Sequence, residues 1–334
     1  MDKFDWNDVV IEPAVLSDIS SRKEINILDK DGNIPLFVSP MDTVIDENNY
    51  KLFLENNYNV CLVRGMDYKN LDYEKCFVSF GIDEIIEQYK SGDLPPKILI
   101  DVANAHMKRL YTTAKDIKVN YPNIELMIGN IANPKTYNEY TEIGVDWIRV
   151  GIGGGSGCTT SANGAIHYPM ASLVKETHME SMKWDKPAKI LADGGFKNYS
   201  DIIKGLALGA DSVMLGGILN KCIESAGDCY WKGIKVPNEL VEFMYSNGFK
   251  LTKKFRGMST KEVQEKWGRK ILKTSEGIVT KGRKVEYTLQ GWTENFQDYL
   301  KSAMSYTNSK NLNEFVGNVN YNLITQHAYQ RFNK

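Results

Sequence analysis

The amino-acid sequence predicts a parallel α/β fold and, within that class, a closed (β/α)8 barrel. Short apolar runs recur at intervals of roughly 20–40 residues, which is the spacing of successive strand–helix units. Segments with helical periodicity lie between these runs, and several runs end in glycine-rich sequence. Glycine-rich ends on several strands favour a barrel, in which all the loops converge on one site, over a doubly wound sheet, which needs only one or two such loops.

Seven apolar runs are the predicted strands, and six periodic segments are the predicted helices. The strands cover residues 36–40, 60–63, 97–102, 124–129, 147–151, 189–192 and 212–215. The helices cover residues 47–56, 83–89, 108–119, 136–143, 199–208 and 219–226. Asn198 is a suitable cap for the helix at 199–208. A dinucleotide fingerprint near the N-terminus is missing, and the GxGGG sequence of residues 151–155 occurs late in the chain, which argues against a Rossmann fold.

We predict one domain over residues 1–334, because no internal repeat or low-complexity linker interrupts the chain. Residues 232–291 are rich in Lys, Gly and Thr and hold few recognisable strands. We expect this stretch to be an irregular active-site flap that is inserted late in the barrel. The polar residues 311–334 are expected to pack along the outside.

The composition excludes several classes of partner. The chain has 334 residues, of which 42% are hydrophobic and 25% charged, and its formal net charge is −1. This charge gives no reason to expect nucleic acid or an anionic membrane as a partner. No apolar stretch is long enough to span a bilayer, and the polar N-terminal residues lack a signal-peptide core. We therefore expect a cytoplasmic protein.

A loop at residues 151–160 carries the strongest chemical signature in the chain. Five glycines surround Cys158, two hydroxyl residues follow it, and a predicted strand precedes the loop. A thiol beside hydroxyl groups suggests covalent catalysis by cysteine, whereas a glycine-rich turn with an incidental cysteine would suggest a phosphate cradle. The other cysteines are scattered and form no CxxC pair, so we interpret them as structural. They are Cys61, Cys76, Cys222 and Cys229.

Seven segments, in their order and spacing, resemble the IMP dehydrogenase/GMP reductase family. They are residues 40–44 (PMDTV), 101–104 (DVAN), 129–131 (GNI), 151–160, 192–195 (ADGG), 214–217 (MLGG) and 256–259 (RGMS). The resemblance extends over residues 4–307. It implies a (β/α)8 barrel that assembles as a homotetramer and acts on C2 of a purine nucleotide through a covalent bond to the loop cysteine.

The resemblance implies that Cys158 is the nucleophile and that Thr160 and Glu276 form a proton relay. A departing amino group needs a proton, which a hydroxyl–carboxylate pair can deliver. Asp193 would hold the ribose hydroxyl groups, since a carboxylate accepts from two donors. Without the resemblance, Asp193 would be interpreted as a turn residue and Glu276 as an exposed carboxylate. The other implied substrate positions are Ser156, Gly194, Gly195, Gly216 and Gly217 for the phosphate, and Gly257, Met258, Ser259, Lys273 and Gly277 for the rest of the nucleotide.

The resemblance also implies a nicotinamide cofactor, NADPH in the reductases, and a potassium ion. The implied cofactor positions are Ser21, Arg22, Asp101, Val102, Ala103, Ser302 and Ser305. The implied potassium ligands are the backbone carbonyl groups of Gly153, Gly155 and Cys158. The sequence leaves open whether the chain keeps this ion and whether it prefers NADPH to NADH.

Three features favour a reductase, which converts GMP to IMP and ammonia, over a dehydrogenase, which oxidises IMP to XMP with NAD. The chain leaves no room for the CBS modules that many dehydrogenases insert in the barrel. Residues 262–268 lack the Arg-Tyr pair with which the dehydrogenases activate water. Residues 21–24, 101–104 and 273–277 resemble the reductase segments SRSEV, DVAN and RASEG, and residues 302–306 resemble a segment near the reductase cofactor.

Some positions depart from the family pattern. Gly154 replaces a proline, Gly157 an aliphatic residue, Ser161 an arginine that is frequent in the family, and Lys273 an arginine that reads the base. Three alternatives therefore stay open: a dehydrogenase without CBS modules, a barrel that binds purine nucleotides without catalysis, and an enzyme for another purine nucleotide such as a deoxynucleotide.

Overall fold

The computed structural model of the chain describes residues 2–155, 160–266 and 277–332. A short strand, β1 (Val9–Ile11), precedes the barrel. The barrel strands are β2 (Leu36–Val38), β3 (Asn59–Leu62), β4 (Cys76–Phe80), β5 (Lys97–Asp101), β6 (Glu125–Ile131), β7 (Trp147–Val150), β8 (Lys189–Asp193) and β9 (Ser212–Leu215). All of them are parallel, and β9 pairs with β2 to close the circle. The closed barrel confirms the predicted (β/α)8 fold.

Helices surround the barrel and follow its last strand. They are α1 (Tyr50–Glu55), α2 (Ile82–Ser91), α3 (Lys108–Asn120), α4 (Pro134–Glu142), α5 (Thr160–Gly164), α6 (Met170–Ser181), α7 (Tyr199–Ala207), α8 (Asn238–Ser246), α9 (Lys261–Lys266), α10 (Leu289–Tyr306), α11 (Leu312–Phe315) and α12 (Gln326–Phe332). The Asn198 side chain accepts a hydrogen bond from Asp201 N, which confirms the predicted cap of α7. In the described part of the chain, no helix has the length and apolar character needed to cross a bilayer.

Several elements differ from the sequence-based prediction, and α6 and α10 are among the helices that were not predicted. Strand β4 was not predicted, although four of its five residues are apolar, because no α-helix separates it from β3; a 3-10 turn at Tyr68–Asn70 makes that connection instead. The helix predicted at 219–226 is wrong, since only a 3-10 turn at Leu219–Lys221 forms there. Ser225 Oγ donates to the carbonyl groups of Asn220 and Cys222, so a polar side chain takes up the carbonyl groups that a longer helix would use.

The stretch 232–291 is ordered in its described part, and the expectation of irregular structure there is wrong. Strands β10 (Cys229–Trp231), β11 (Ile234–Lys235), β12 (Leu251–Arg256) and β13 (Val279–Lys284) form an antiparallel sheet in the order β11-β10-β12-β13. Side chains of the sheet and of α8 enclose a small apolar core of Cys229, Val236, Val241 and Leu251. These strands are hard to recognise in the sequence because β12 and β13 are rich in lysine. The role of this stretch as a flap stays a prediction.

The C-terminal residues pack outside the barrel, as predicted for this region. Strand β14 (Tyr321–Leu323) pairs antiparallel with β1, and Asn26, which precedes β2, is bridged to Asn311. Gly317 N donates to the carbonyl group of Leu206 at the end of α7. The end of α10 and the residues after it therefore lie near the N-terminal end of the barrel.

Alternation along the strands divides the barrel interior into layers. Because side chains of a strand point to opposite faces with a period of two, every second residue points inward. An apolar cluster inside the barrel takes one side chain from each barrel strand: Phe37, Cys61, Phe77, Leu99, Met127, Trp147, Leu191 and Met214. Two residues further along β5, β7 and β8, the inward positions are Asp101, Arg149 and Asp193. A charged layer thus lies above an apolar one, at the carboxyl end where barrel enzymes carry their sites.

A buried lysine joins the antiparallel sheet to the barrel. Lys253 of β12 is only 2% exposed. Its Nζ donates to Ile223 O at 2.7 Å, to Ser225 Oγ at 2.9 Å and to the carbonyl group of Ser225. Burial lowers the pKa of Lys253 to about 8, because a charged ammonium group is poorly solvated there.

We predict that Lys253 makes the stability of the fold depend on alkaline pH. Its folded-state pKa of about 8 lies below the ordinary value of 10.5, so the unfolded chain binds more protons between these values and the free energy of unfolding rises with pH there. Relative to Lys253→Met, wild-type protein should gain up to about 3 kcal/mol between pH 8 and pH 10.5 in denaturant titrations. Lys284→Met, at an exposed lysine of β13, is the control, and its free energy of unfolding should depend on pH as that of wild type does. The prediction would be contradicted if the free energy of unfolding of Lys253→Met changed with pH in the same way as that of wild type.

Candidate active site

Three glycine-rich loops lie side by side at the carboxyl end of the barrel, after β7, β8 and β9. A Cβ atom added to Gly194 would lie 3.0 Å from Gly155 N, and one added to Gly151 would overlap the carbonyl oxygen of Asp193. The backbones of the first two loops therefore touch, and only glycine permits this approach. After β9, a Cβ atom on Gly216 would lie 2.6 Å from Met41 Sδ. The arrangement offers a surface of backbone groups suited to a phosphate.

A network of charged side chains lies beside these loops. Arg149 Nη1 donates to Asp101 Oδ1 at 2.6 Å, and Nη2 donates to Asp193 Oδ2 at 2.8 Å. Asn130 Nδ2 donates to the same Oδ2 atom at 2.8 Å and to Gly151 O at 2.7 Å. Burial lowers the pKa of Arg149, but attraction by Asp193 and Asp101 outweighs it, so the pKa is raised above its ordinary value. Both carboxylates are therefore held by a permanent cation.

A second arginine attaches the antiparallel sheet to the same end of the barrel. Arg256, the last residue of β12, donates from Nε to Asp42 Oδ1 at 3.0 Å and from Nη2 to Asp42 Oδ2, and Asp42 lies in the loop after β2. Its Nη1 donates to Glu262 Oε2 of α9 at 2.7 Å. Although burial lowers the pKa of Arg256, its bonds to Asp42 and Glu262 raise it overall. The bidentate pair fixes the approach of Met258, which packs against the barrel core.

The comparisons with known proteins identify the family of the chain. A family model described as "IMP dehydrogenase / GMP reductase domain" matches residues 96–332, which is more than half of the chain. The chain belongs to the IMP dehydrogenase/GMP reductase family. It is 31% identical over 333 residues to GMP reductase of Lactobacillus acidophilus, a match that covers 94% of this chain and 92% of the relative. GMP reductase of Ligilactobacillus salivarius is 28% identical over 332 residues, with 93% and 94% covered.

A dehydrogenase of the same family is similarly close in sequence. Inosine-5'-monophosphate dehydrogenase of Aquifex aeolicus is 29% identical over 315 residues. That match covers 92% of this chain but only 59% of the relative, so the chain spans less than two thirds of the dehydrogenase. Membership of the family confirms the resemblance inferred from the seven motifs, while the choice between the two activities needs separate arguments.

Several residues for which the resemblance predicts a role lie outside the described residues. These are Ser156, Cys158, Lys273 and Glu276. Thr160 is the first residue of α5. Of the predicted potassium ligands, Gly153 and Gly155 are described, and Gly153 O accepts a hydrogen bond from Ser161 Oγ at 3.1 Å. Ser161, which departs from the family pattern, thus ties α5 back to the glycine-rich loop.

The described substrate positions lie on the loops at the carboxyl end and on the attached sheet. Gly194, Gly195, Gly216 and Gly217 follow β8 and β9, and Asp193 ends β8. Gly257 N donates to Ile278 O at 3.0 Å, so the segment of Gly257, Met258 and Ser259 is joined to the residues next to Gly277. The structure thereby brings the two halves of the predicted nucleotide site to one end of the barrel.

The predicted cofactor positions fall into two separate groups within one chain. Asp101, Val102 and Ala103 lie at the carboxyl end of β5. Ser302 and Ser305 lie near the end of α10, where Ser17 Oγ donates to Ser305 O at 2.8 Å, and Ser21 and Arg22 lie in the segment that leads to the N-terminal end of β2. The second group is therefore at the opposite end of the barrel. Ser302 lines a largely apolar groove of about 600 Å³ between α7, α10 and β1.

The sequence assigned no role to Asn130, Arg149, Asp42 or Arg256, although all four belong to the hydrogen-bonded networks at the carboxyl end of the barrel. Asp42, Asn130 and Arg256 lie in the motif segments 40–44, 129–131 and 256–259, which indicate the family but no role for these side chains, and Arg149 carries a signal of its own. The run Trp147-Ile148-Arg149-Val150 places a charged residue inside an otherwise apolar strand, and such a residue is almost never fully buried unless it is paired. The signal could have identified Arg149 as part of a buried network, but not its partners.

We predict that Arg256 holds the sheet against the barrel. In Arg256→Lys a point charge replaces the bidentate group, and the free energy of local opening should fall by about 2 kcal/mol. Hydrogen exchange measured by mass spectrometry should then accelerate in residues 39–46 and 257–263. Lys221→Met, which removes a half-exposed pair with Glu286 (3.0 Å), is the control and should change opening by at most about 1 kcal/mol. Equal exchange in wild type and Arg256→Lys would refute this role.

Proposed function

We propose that the protein is a GMP reductase, which converts GMP to IMP and ammonia with NADPH through a covalent bond between Cys158 and purine C2. The observation that carries the proposal is the position of Asp193. This carboxylate is fixed by Arg149 and Asn130 directly beside the loop that bears Cys158, so a nucleotide bound through its ribose would reach the loop. The similarity to the Lactobacillus acidophilus GMP reductase over almost the full length of both chains supports the choice of activity.

The four other cysteines support Cys158 as the nucleophile by elimination. Each of them is a buried free thiol. Burial raises the pKa of all four, to about 12 for Cys76, so these thiols stay protonated at neutral pH. Because the thiolate is the reactive form, and the chain has five cysteines, Cys158 is the remaining candidate.

In the proposed binding mode the backbone groups of the three glycine-rich loops hold the phosphate, together with Ser156. Asp193 accepts hydrogen bonds from the ribose hydroxyl groups through the carboxylate oxygen that Arg149 and Asn130 leave available. Met258 and Ser259 contact the nucleotide from the attached sheet, and Lys273 and Gly277 contribute from the segment between α9 and β13. Arg256 joins Asp42 of the barrel to Glu262 of α9, the helix that precedes this segment.

In the proposed reaction, the Cys158 thiolate attacks C2 of GMP and forms a carbon–sulfur bond. The C2–N bond breaks, and the relay of Thr160 and Glu276 supplies the proton with which the amino group leaves as ammonia. Bound NADPH supplies the hydride for C2. The carbon–sulfur bond then breaks, and its electron pair returns to Cys158 as a thiolate, which leaves IMP and NADP+.

The described residues fit a nicotinamide at Asp101, Val102 and Ala103, because these half-buried and exposed residues border the site at the end of β5. Ser21, Arg22, Ser302 and Ser305 can contact the same cofactor only if a neighbouring copy supplies them, which is consistent with a proposed homotetramer. For potassium, Gly153 O retains one lone pair besides its bond to Ser161, so the described part of the loop still accommodates a cation.

IMP dehydrogenase is the second candidate, and the 29% identity to the Aquifex aeolicus enzyme favours it. Two observations support the reductase instead. The longest connection between successive barrel strands, residues 151–188, holds the glycine-rich loop, α5 and α6, so no domain is inserted between β2 and β9. Residues 262–268 also lack an Arg-Tyr pair that could activate water for hydrolysis.

We expect purified protein to oxidise NADPH in the presence of GMP and to release IMP and ammonia. The loss of NADPH absorbance measures the formation of NADP+, and chromatography of the nucleotides detects IMP. Cys158→Ala should lower turnover by at least about 10⁴-fold, because no other group can form the adduct. Turnover of IMP with NAD, and none of GMP, would identify a dehydrogenase instead. Tight binding of nucleotides without turnover of either pair would indicate a non-catalytic barrel.

We also expect iodoacetamide to alkylate the native chain at Cys158 alone, and GMP to slow this reaction. The four buried thiols should react only after denaturation, which provides the internal control. Peptide mapping by mass spectrometry identifies the modified residue. Labelling of Cys61, Cys76, Cys222 or Cys229 at a comparable rate in the folded protein would contradict the elimination argument.

A further inference from the structure

One guanidinium group is shared by carboxylates that belong to two different ligand sites of the proposed function. Arg149 is 6% exposed, and it is joined to Asp101 at 2.6 Å and to Asp193 at 2.8 Å. Asp193 belongs to the predicted nucleotide site, and Asp101 borders the predicted cofactor site. The sequence assigns Arg149 itself to neither.

The register of the barrel shows how one side chain reaches both partners. Asp101 pairs with Gly129 on the adjacent strand, and Gly129 pairs with Arg149 on the next. Asp101 and Arg149 are therefore in one row but two strands apart, or about 10 Å. A Cβ atom on Gly129 would overlap Arg149 Cβ. Because Gly129 has no side chain, the side chain of Arg149 can extend across β6 towards Asp101.

The bonds also define which carboxylate oxygens are available. Arg149 Nη2 and Asn130 Nδ2 both donate to Oδ2 of Asp193, whereas Oδ1 accepts no hydrogen bond within the described ranges. On Asp101, Oδ1 is the atom that accepts the hydrogen bond from Arg149. Arg149 Nε is buried without a hydrogen-bond partner among the described residues, so the two Nη groups alone orient the guanidinium. Among the described residues, Arg149 and Asn130 thus bind one oxygen of each carboxylate, and the other oxygen is available to a ligand.

We propose that Arg149 is a positioning residue that aligns Asp193 for the nucleotide and Asp101 for the cofactor at the same time, and that Asn130 is a second positioning residue for Asp193 alone. The proposal rests on the proposed function for the identity of the two ligands. It assigns to Arg149 an effect on both binding sites and to Asn130 an effect on one. A residue that only stabilised the barrel would not divide its effects in this way.

The test compares Arg149→Lys with Asn130→Ala. An ammonium group is a point charge and cannot pair with two carboxylates in the geometry of a planar guanidinium. Arg149→Lys should raise both the Kd for GMP or IMP, measured by calorimetry, and the KM for NADPH by about 10-fold or more. Asn130→Ala should raise the nucleotide Kd by about 10-fold and leave the KM for NADPH within about 2-fold of wild type. Arg109→Ala, which removes a surface pair with Asp83 at 2.7 Å, is the matched control and should change neither constant.

A double-variant cycle tests whether Arg149 acts through Asp193. Arg149→Lys should weaken nucleotide binding little further in an Asp193→Asn background, because residues of one network are not additive. Full additivity would overturn the proposal, and so would an Asn130→Ala variant that affects the cofactor as strongly as the nucleotide. If Arg149→Lys does not fold, the Asn130→Ala variant and its cycle with Asp193→Asn decide the same question at Asp193.

Failure of this inference can be distinguished from failure of the proposed function, because the Kd of a nucleotide can be measured without turnover. If the wild-type protein binds IMP and turns it over with NAD, GMP reductase is excluded, but the Kd series with IMP still tests Arg149. If the protein reduces GMP and Arg149→Lys leaves both constants unchanged, the function stands and this inference fails.

Discussion

A guanidinium group buried inside the barrel, with a carboxylate on either side, determines the arrangement of the candidate active site. An isolated charge in this position would be strongly unfavourable, so Arg149 requires its partners as much as they require it. The strands that supply Asp101 and Asp193 must therefore keep their register relative to β7. Since the loops after β7 and β8 continue directly from these strands, the position of the glycine-rich loop follows from the same interaction.

The same principle attaches the antiparallel sheet to the barrel. Strand β12 carries Lys253 and Arg256, and both buried cations find their acceptors on the barrel side: carbonyl groups of residues 223 and 225 for the lysine, and Asp42 for the arginine. Buried ionic contacts of this kind add less stability than apolar packing of equal volume. They are, however, specific in direction, because each donor needs its own acceptor. The proposed flap thus begins from a fixed position over the carboxyl end of the barrel.

Glycine serves a different purpose at this end of the barrel from its usual role in turns. Gly151 and Gly194 let two loops touch through their backbones, and Gly129 lets a side chain pass. In each case the missing Cβ atom creates room for a particular neighbour. This need for room next to the backbone explains why the site combines several glycine-rich segments. The sequence shows these segments, but it does not show which neighbouring groups occupy the room that the glycines leave.

The sequence by itself determined the fold class, seven of the eight barrel strands, five of the helices around them, and the family. Apolar periodicity and the order of motifs are local properties of the chain, so they can be recognised without knowing which residues meet in space. Strand β4 follows β3 without an α-helix between them, and strands β12 and β13 of the attached sheet are rich in lysine, so the alternation of apolar strands and helices did not identify them. The sequence also suggested Asp193 and Asp101 as ligand-binding residues, but without any indication that the two are connected.

Only the tertiary structure decided that Arg149 joins these two carboxylates, that Asn130 shares one of them, and that Arg256 binds Asp42. Each of these contacts depends on the register between strands or on the docking of one element against another. Register and docking result from closing the barrel and filling its interior, and these are properties of the whole chain that no local pattern encodes. The separation of Ser302 and Ser305 from Asp101 has the same origin, because the direction in which α10 runs along the barrel is set by packing.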